Sequence, residues 1–144
     1  MKLIERDLGG ALVVFSTRQG GVSEGPYESL NLGILTDDAQ ERVTENRERL
    51  ARGAGVDAER IAMGWQVHGS DLREWGAPPN GGGYAKPGAE LDRVDGHLTH
   101  ERDLGLLVLV ADCLPVAVAT RDTVAMLHCG WRGLAGGIVD KAVG

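Results

Sequence analysis

The chain has 144 residues, the length of a single domain, and its 42% hydrophobic and 25% charged content is that of a globular protein rather than a disordered or fibrous one. With 15 Lys and Arg against 21 Asp and Glu, the formal net charge is −6 and no basic run exists, which argues against nucleic acid or an anionic membrane as a partner. The opening MKLIERDLGG lacks a signal-peptide core and no segment reaches membrane-spanning length, so a cytoplasmic location is expected, with the two cysteines as free thiols or ligands.

Residues 11–16, ALVVFS, read as a buried strand that runs into the Gly-rich loop TRQGGVSEGPY. A helix is expected to begin near Asp37 or Asp38, since Asp can cap free amides, and to end at Gly53 and Gly55. Within it Val43, Asn46, Arg47, Leu50 and Ala54 recur at helical spacing, with Val43 and Leu50 facing inward. A short strand over residues 61–67 then leads to His68. Residues 76–90 hold five Gly and three Pro, the composition of an exposed, mobile loop.

The run GLLVLVADC at 105–113 reads as a strand covered on both faces. VAVAT and TVAMLH follow as a hairpin around a turn at residues 121–122. The closing GWRGLAGGIVDKAVG has the pattern of the first turns of a helix. These elements imply an α+β fold with antiparallel strands, rather than a doubly wound parallel sheet. The 22 glycines, about twice the usual share, cluster beside the segments that look chemical, as tight loops around a site would require.

The hairpin brings chemistry together. If Thr120 and Thr123 close the turn as a pair, residues whose numbers sum to 243 lie opposite one another. His128 then faces Pro115, and Cys113 becomes its diagonal neighbour on the same face, about 7–8 Å away at Cα. Cys129 falls on the opposite face and is not expected to pair with Cys113. Asp112 is also expected to point away from the thiol. A thiol acts as nucleophile or ligand in its thiolate form, which a neighbouring imidazole or metal favours. Cys113 and His128 alone could form a hydrolase or transferase dyad. With His68 as a third member they could hold catalytic zinc with one open position. Spacing also allows a simple reading, in which Cys113 is a small core hydrophobe and both histidines are surface groups.

Seven stretches carry a family resemblance: STRQGGVS at 16–23, SLNLG at 29–33, Val43 with Asn46 and Arg47, QVHG at 66–69, Asp95-Gly96 with Thr99, ADCLP at 111–115, and HCGWRG at 128–133. In this order they resemble the laccase-domain purine nucleoside phosphorylase family, also called multicopper polyphenol oxidase-like and peptidoglycan editing factor proteins. The resemblance covers nearly the whole chain. It implies an α+β fold of mixed, largely antiparallel sheets flanked by helices, similar to the cysteine-hydrolase-like fold of deamidating toxins. It also implies that His68, Cys113 and His128 are the metal-binding and catalytic residues.

Other expectations follow from the same likeness. The implied activities are phosphorolysis of adenosine, inosine, guanosine and methylthioadenosine, together with adenosine deamination. One thiolate with two imidazoles, and no His-rich array, suits zinc better than several coppers. Arg18 matches the arginine of the Gly-rich motif and is the expected phosphate or ribose contact, with Asn31 as a second substrate contact. Cys129 stands where the family usually has Ala, and reads as a packing change. Family members continue well past residue 144, so residues 1–144 are expected to be the N-terminal part of one laccase-like domain. Two alternatives accompany this reading: a metal-free Cys113–His128 hydrolase or amidase acting on a peptidoglycan-precursor-like substrate, and a non-catalytic binding domain. His97 and His100 are expected in a surface turn outside the site. Trp65, Trp75 and Trp131 are expected as core or pocket walls.

Overall fold

The computed structural model describes residues 1–33, 35–77 and 83–144. Its centre is a four-stranded sheet of β4 (Leu72–Trp75), β5 (Gly96–Thr99), β8 (Val124–Cys129) and β7 (Leu114–Ala119), in that order. β4 and β5 run parallel, whereas β5–β8 and β8–β7 are antiparallel. Two small sheets accompany it: antiparallel β1 (Leu3–Asp7) with β2 (Leu12–Ser16), and parallel β3 (Ile61–Ala62) with β6 (Gly105–Leu106). The helices are α1 (Gln40–Ala54), α2 (Trp131–Ala135) and α3 (Ile138–Val143). This is the expected mixed α+β class.

The β7–β8 hairpin has the register read from the sequence. Pro115 pairs with His128 and Leu114 with Cys129, and the Thr120 amide donates to Thr123 O at 2.8 Å across the turn. Alternation then gives the sheet two chemically distinct faces. One buries Ala125, Leu127 and Cys129 against Ile138 of α3, with Leu72, Leu98, Val116 and Val118 packed around them. The other carries His128, His97 and Thr99, each almost fully buried. Cys129 therefore belongs to the core, on the side away from Cys113, and both cysteines are free.

Several expected elements are shorter or differently arranged. The strand expected over residues 61–67 pairs only at Ile61 and Ala62, and the run from Gly105 pairs only at Gly105 and Leu106. Residues 107–109 are half-buried and Val110 is exposed, so that run is not a strand covered on both faces. The strand expected at 11–16 is β2, but only Val13 in it is buried. α1 starts at Gln40 without a side-chain cap; Asp38 instead accepts from Ser23 Oγ and Asn31 Nδ2, bracing the Gly-rich loop. Gly53 lies within α1, and Gly55 ends it in the left-handed conformation. The closing helix is two, broken where Gly137 adopts φ 77°.

α1 buries more than an apolar stripe. Asn46 and Arg47 are almost fully buried beside Val43 and Leu50. Asn46 accepts from the Val22 amide and donates to Ser23 Oγ and Asn31 O. Arg47 donates to the carbonyls of Leu32, Gly83 and Tyr84, and the Tyr84 hydroxyl donates back to Arg47 O at 2.6 Å. These bonds satisfy groups whose burial alone would be costly. Of the expected mobile loop at 76–90, residues 78–82 lie outside the described residues. Tyr84, in the remainder, is fully buried, so this part is fastened to α1 rather than free.

Candidate metal and catalytic centre

Three distant segments supply the centre. His68 lies on the loop that leads into β4, Cys113 immediately precedes β7, and His128 sits near the end of β8. Their ligating atoms all lie within 4.8 Å of one another. The two imidazole centroids are 4.9 Å apart with their planes at 74°. His68 is exposed, Cys113 half-buried and His128 buried, so the cluster opens to solvent on the His68 side. Asp112 is exposed and takes no part in it, as expected.

Local backbone explains the convergence. His68 has φ 60°, in the left-handed region that residues other than Gly seldom occupy. The bend is held by Asp95, whose Oδ1 accepts from the Val67 and Gly69 amides and whose Oδ2 accepts from the His68 amide, each at 2.9 Å. Asp95 Oδ2 also accepts from His128 Nδ1 at 2.7 Å. Asp95 immediately precedes β5, across from His128, whose amide donates to Asp95 O. Burial alone would raise the Asp95 pKa, but the hydrogen bonds from His128 and the three amides outweigh it and hold it below the usual carboxylate value. Gly130 completes the approach: a Cβ there would stand 3.2 Å from both Cys113 Sγ and His68 Cδ2. Gly133 of α2 does the same one turn later, since a Cβ would come 2.7 Å from Gly69 O.

The sequence reading did not give Asp95 a role, although it lay in a quoted motif. Its place across from His128 depends on the β5–β8 pairing, which the sequence reading did not contain. His97 also differs from expectation. It is a fully buried β5 residue, not part of a surface turn, and its Nδ1 accepts from Trp75 Nε1 at 3.1 Å. Burial lowers its pKa to about 4, against a raising influence of Asp95. His100, by contrast, is exposed and bonds Thr123 Oγ1 at the hairpin turn. Trp75 is a core residue, whereas Trp131 is 71% exposed, with the Arg132 guanidinium 4.6 Å from its ring centroid. Trp131 therefore walls no buried pocket among the described residues.

Arg18 and Asn31 lie together, in a cleft of about 300 Å³ also lined by Pro26, Tyr27, Glu28 and Leu30. Arg18 Nε and Nη2 both donate to Glu28 O. The Asn31 amide bonds Thr36 Oγ1, Asp38 Oδ2 and the Gly33 N–H, so it braces its own loop. Among the described residues, no hydrogen bond joins either side chain to the His68–Cys113–His128 cluster.

The sequence model of the family described as multi-copper polyphenol oxidoreductase laccase matches residues 12–144. The chain belongs to this family. A Streptomyces coelicolor relative, named purine nucleoside phosphorylase SCO2081, is 42% identical over 96% of this chain and 56% of its own length. The crystal structure of YlmD from Geobacillus stearothermophilus superposes with a TM-score of 0.86 at 37% identity, covering 94% of this chain and 51% of that one. YfiH from Bacillus licheniformis gives 0.84 at 30% identity, covering 92% and 50%. The chain thus has the fold of these proteins and spans about half the length of the relatives it matches. No helix among the described residues is long and apolar enough to cross a membrane.

Proposed function

We propose that this chain carries the reactive centre of a zinc-dependent purine nucleoside phosphorylase that also deaminates adenosine, acting on free nucleosides in the cytoplasm. The observation that carries the reading is the convergence of His68, Cys113 and His128 within 4.8 Å, in a chain whose relatives bear the phosphorylase name. The donor set fits zinc. Two imidazoles and one thiolate are characteristic zinc ligands, three of them leave a fourth position open, and copper in several centres would need more histidines than the cluster offers. When bound, such an ion supplies Lewis acidity beside the substrate.

The protein's own part is orientation. Phosphorolysis forms a bond from phosphate oxygen to ribose C1′ and breaks the bond from C1′ to the purine nitrogen. The site must therefore hold an anion in line with the leaving base. Arg18 is the proposed anion or ribose contact. Two of its nitrogens are engaged by Glu28 O, which leaves Nη1 for the ligand among the described residues. Asn31, the other proposed contact, would have to exchange a bond within its loop. Inosine, guanosine and methylthioadenosine are proposed substrates alongside adenosine.

A second reading is favoured by one observation. The order Cys113, His128, Asp95 has the logic of a nucleophile, a base and the carboxylate that orients the base, which would suit a metal-free thiol hydrolase or amidase. Metal analysis and inosine phosphorolysis, with and without EDTA, separate the two. Bound zinc, loss of turnover on chelation and loss in Cys113→Ala support the first. Phosphorolysis that persists in Cys113→Ala, in protein free of zinc, rules it out. Because the chain spans about half of its relatives, a binding role without turnover is the third outcome; it would show as zinc and inosine binding with no product.

A further inference from the structure

Among the described residues, the side chain that accepts the most hydrogen bonds lies behind the proposed ligands. Asp95 is fully buried, and four donors converge on its two oxygens: the amides of residues 67, 68 and 69, and His128 Nδ1. A carboxylate has roughly four lone-pair sites, so this one is saturated. It has no remaining direction in which to bind an ion or take a proton from substrate, which excludes a ligand or general-base role.

We propose that Asp95 is the positioning residue of the centre, one carboxylate that sets His68 through its backbone and His128 through its ring. The inference rests on the reactive centre proposed above, whether that centre works with metal or as a thiol. For His128 the consequence is tautomeric. Donation from Nδ1 places the ring proton on the Asp95 side and leaves the Nε2 lone pair for the cluster. For His68 it is conformational. Three successive amides bound to one anion hold the chain at φ 60° and turn the side chain towards Cys113. The two histidines are thereby coupled, although 60 positions separate them (128 − 68).

Asparagine distinguishes this role from simple packing. It is isosteric, but its NH2 group must face two of the four donors. If it takes the place of Oδ2, the donors it meets are the His68 amide and His128 Nδ1. The backbone amide cannot change. The imidazole can, by moving its proton to Nε2, which removes the lone pair that the centre uses.

The test is nitrogen-15 NMR of imidazole resonances in the metal-free full chain, with His128 assigned by its loss in His128→Gln, together with zinc titration. Expected are an Nδ1–H tautomer at His128 in the parent, an Nε2–H tautomer in Asp95→Asn, and zinc affinity lowered roughly 10- to 100-fold in that variant. An Nε2–H tautomer in the parent overturns the inference. So does a folded Asp95→Asn variant with both tautomer and zinc affinity unchanged. Should Asp95→Asn fail to fold, the parent spectrum alone decides. Should the parent show the Nδ1–H tautomer but bind no zinc, the metal reading fails while the role of Asp95 stands.

Discussion

Gly130→Ala is the substitution that best separates the chemistry of the centre from the stability of the fold. Gly130 has φ −75° and ψ 166°, values that alanine adopts freely, so the backbone gives no reason for strain. The new methyl would sit 3.2 Å from Cys113 Sγ and 3.2 Å from His68 Cδ2, some tenths of an ångström inside ordinary contact. Both neighbours are side-chain atoms that can swing aside, and Cys113 and His68 would be pushed apart. Ligand distances around a metal tolerate only about ±0.2 Å, and a misplacement of about 1 Å can cost a hundredfold in rate. A shift of a few tenths of an ångström should therefore weaken zinc binding by about tenfold, or ~1.4 kcal/mol. Folding should not suffer, because Gly→Ala at a permitted conformation removes freedom from the unfolded chain, worth about 0.4–1 kcal/mol. Competition titration with a zinc chelator and thermal unfolding of the metal-free protein measure the two effects. Affinity within twofold of the parent, or a fall in stability of several kcal/mol, would refute the reasoning.

Three further outcomes are expected. His97 has a folded pKa of about 4 against an ordinary value of 6.5, so the unfolded chain takes up the proton first as the pH falls. Stability is then intact above pH 6.5 and is lost progressively down to about 4, by roughly 3 kcal/mol in all. Urea unfolding at several pH values should show that slope, and His97→Gln should flatten it. Arg47→Lys should cost about 2 kcal/mol in the same assay, since a single ammonium cannot span the carbonyls of Leu32 and of residues 83–84. Cys129→Ala should leave zinc affinity unchanged because its thiol lies in the core on the other side of the sheet, and native-state iodoacetamide labelling, read by peptide mass, should fall on Cys113.

The site was more legible in the sequence than the fold around it. Two threonines closing a four-residue turn set the β7–β8 register, and that register alone placed Cys113 diagonal to His128. No periodicity could reach His68, which arrives by a loop bent at its own residue; only the family resemblance brought it in. The apolar runs at 61–67 and 105–113 misled because Ile61, Met63, Leu107 and Leu109 pack largely without a ladder, while Val67 and Val110 are exposed. His97 was misplaced for the opposite reason. Its polar neighbours in DGHLTH suggested a turn, but strands on both sides cover it and the buried Trp75 N–H needs an acceptor there. Asp38 likewise found partners in Ser23 and Asn31 that competed with the helix start.

The saturation of Asp95 also limits how the centre can treat negative charge. Consecutive free amides are the usual makings of an oxyanion hole, yet those of Val67, His68 and Gly69 already point at an internal carboxylate. The amides of residues 67–69 are therefore not available to an incoming anion, and in the proposed reaction developing negative charge would have to be met by other groups.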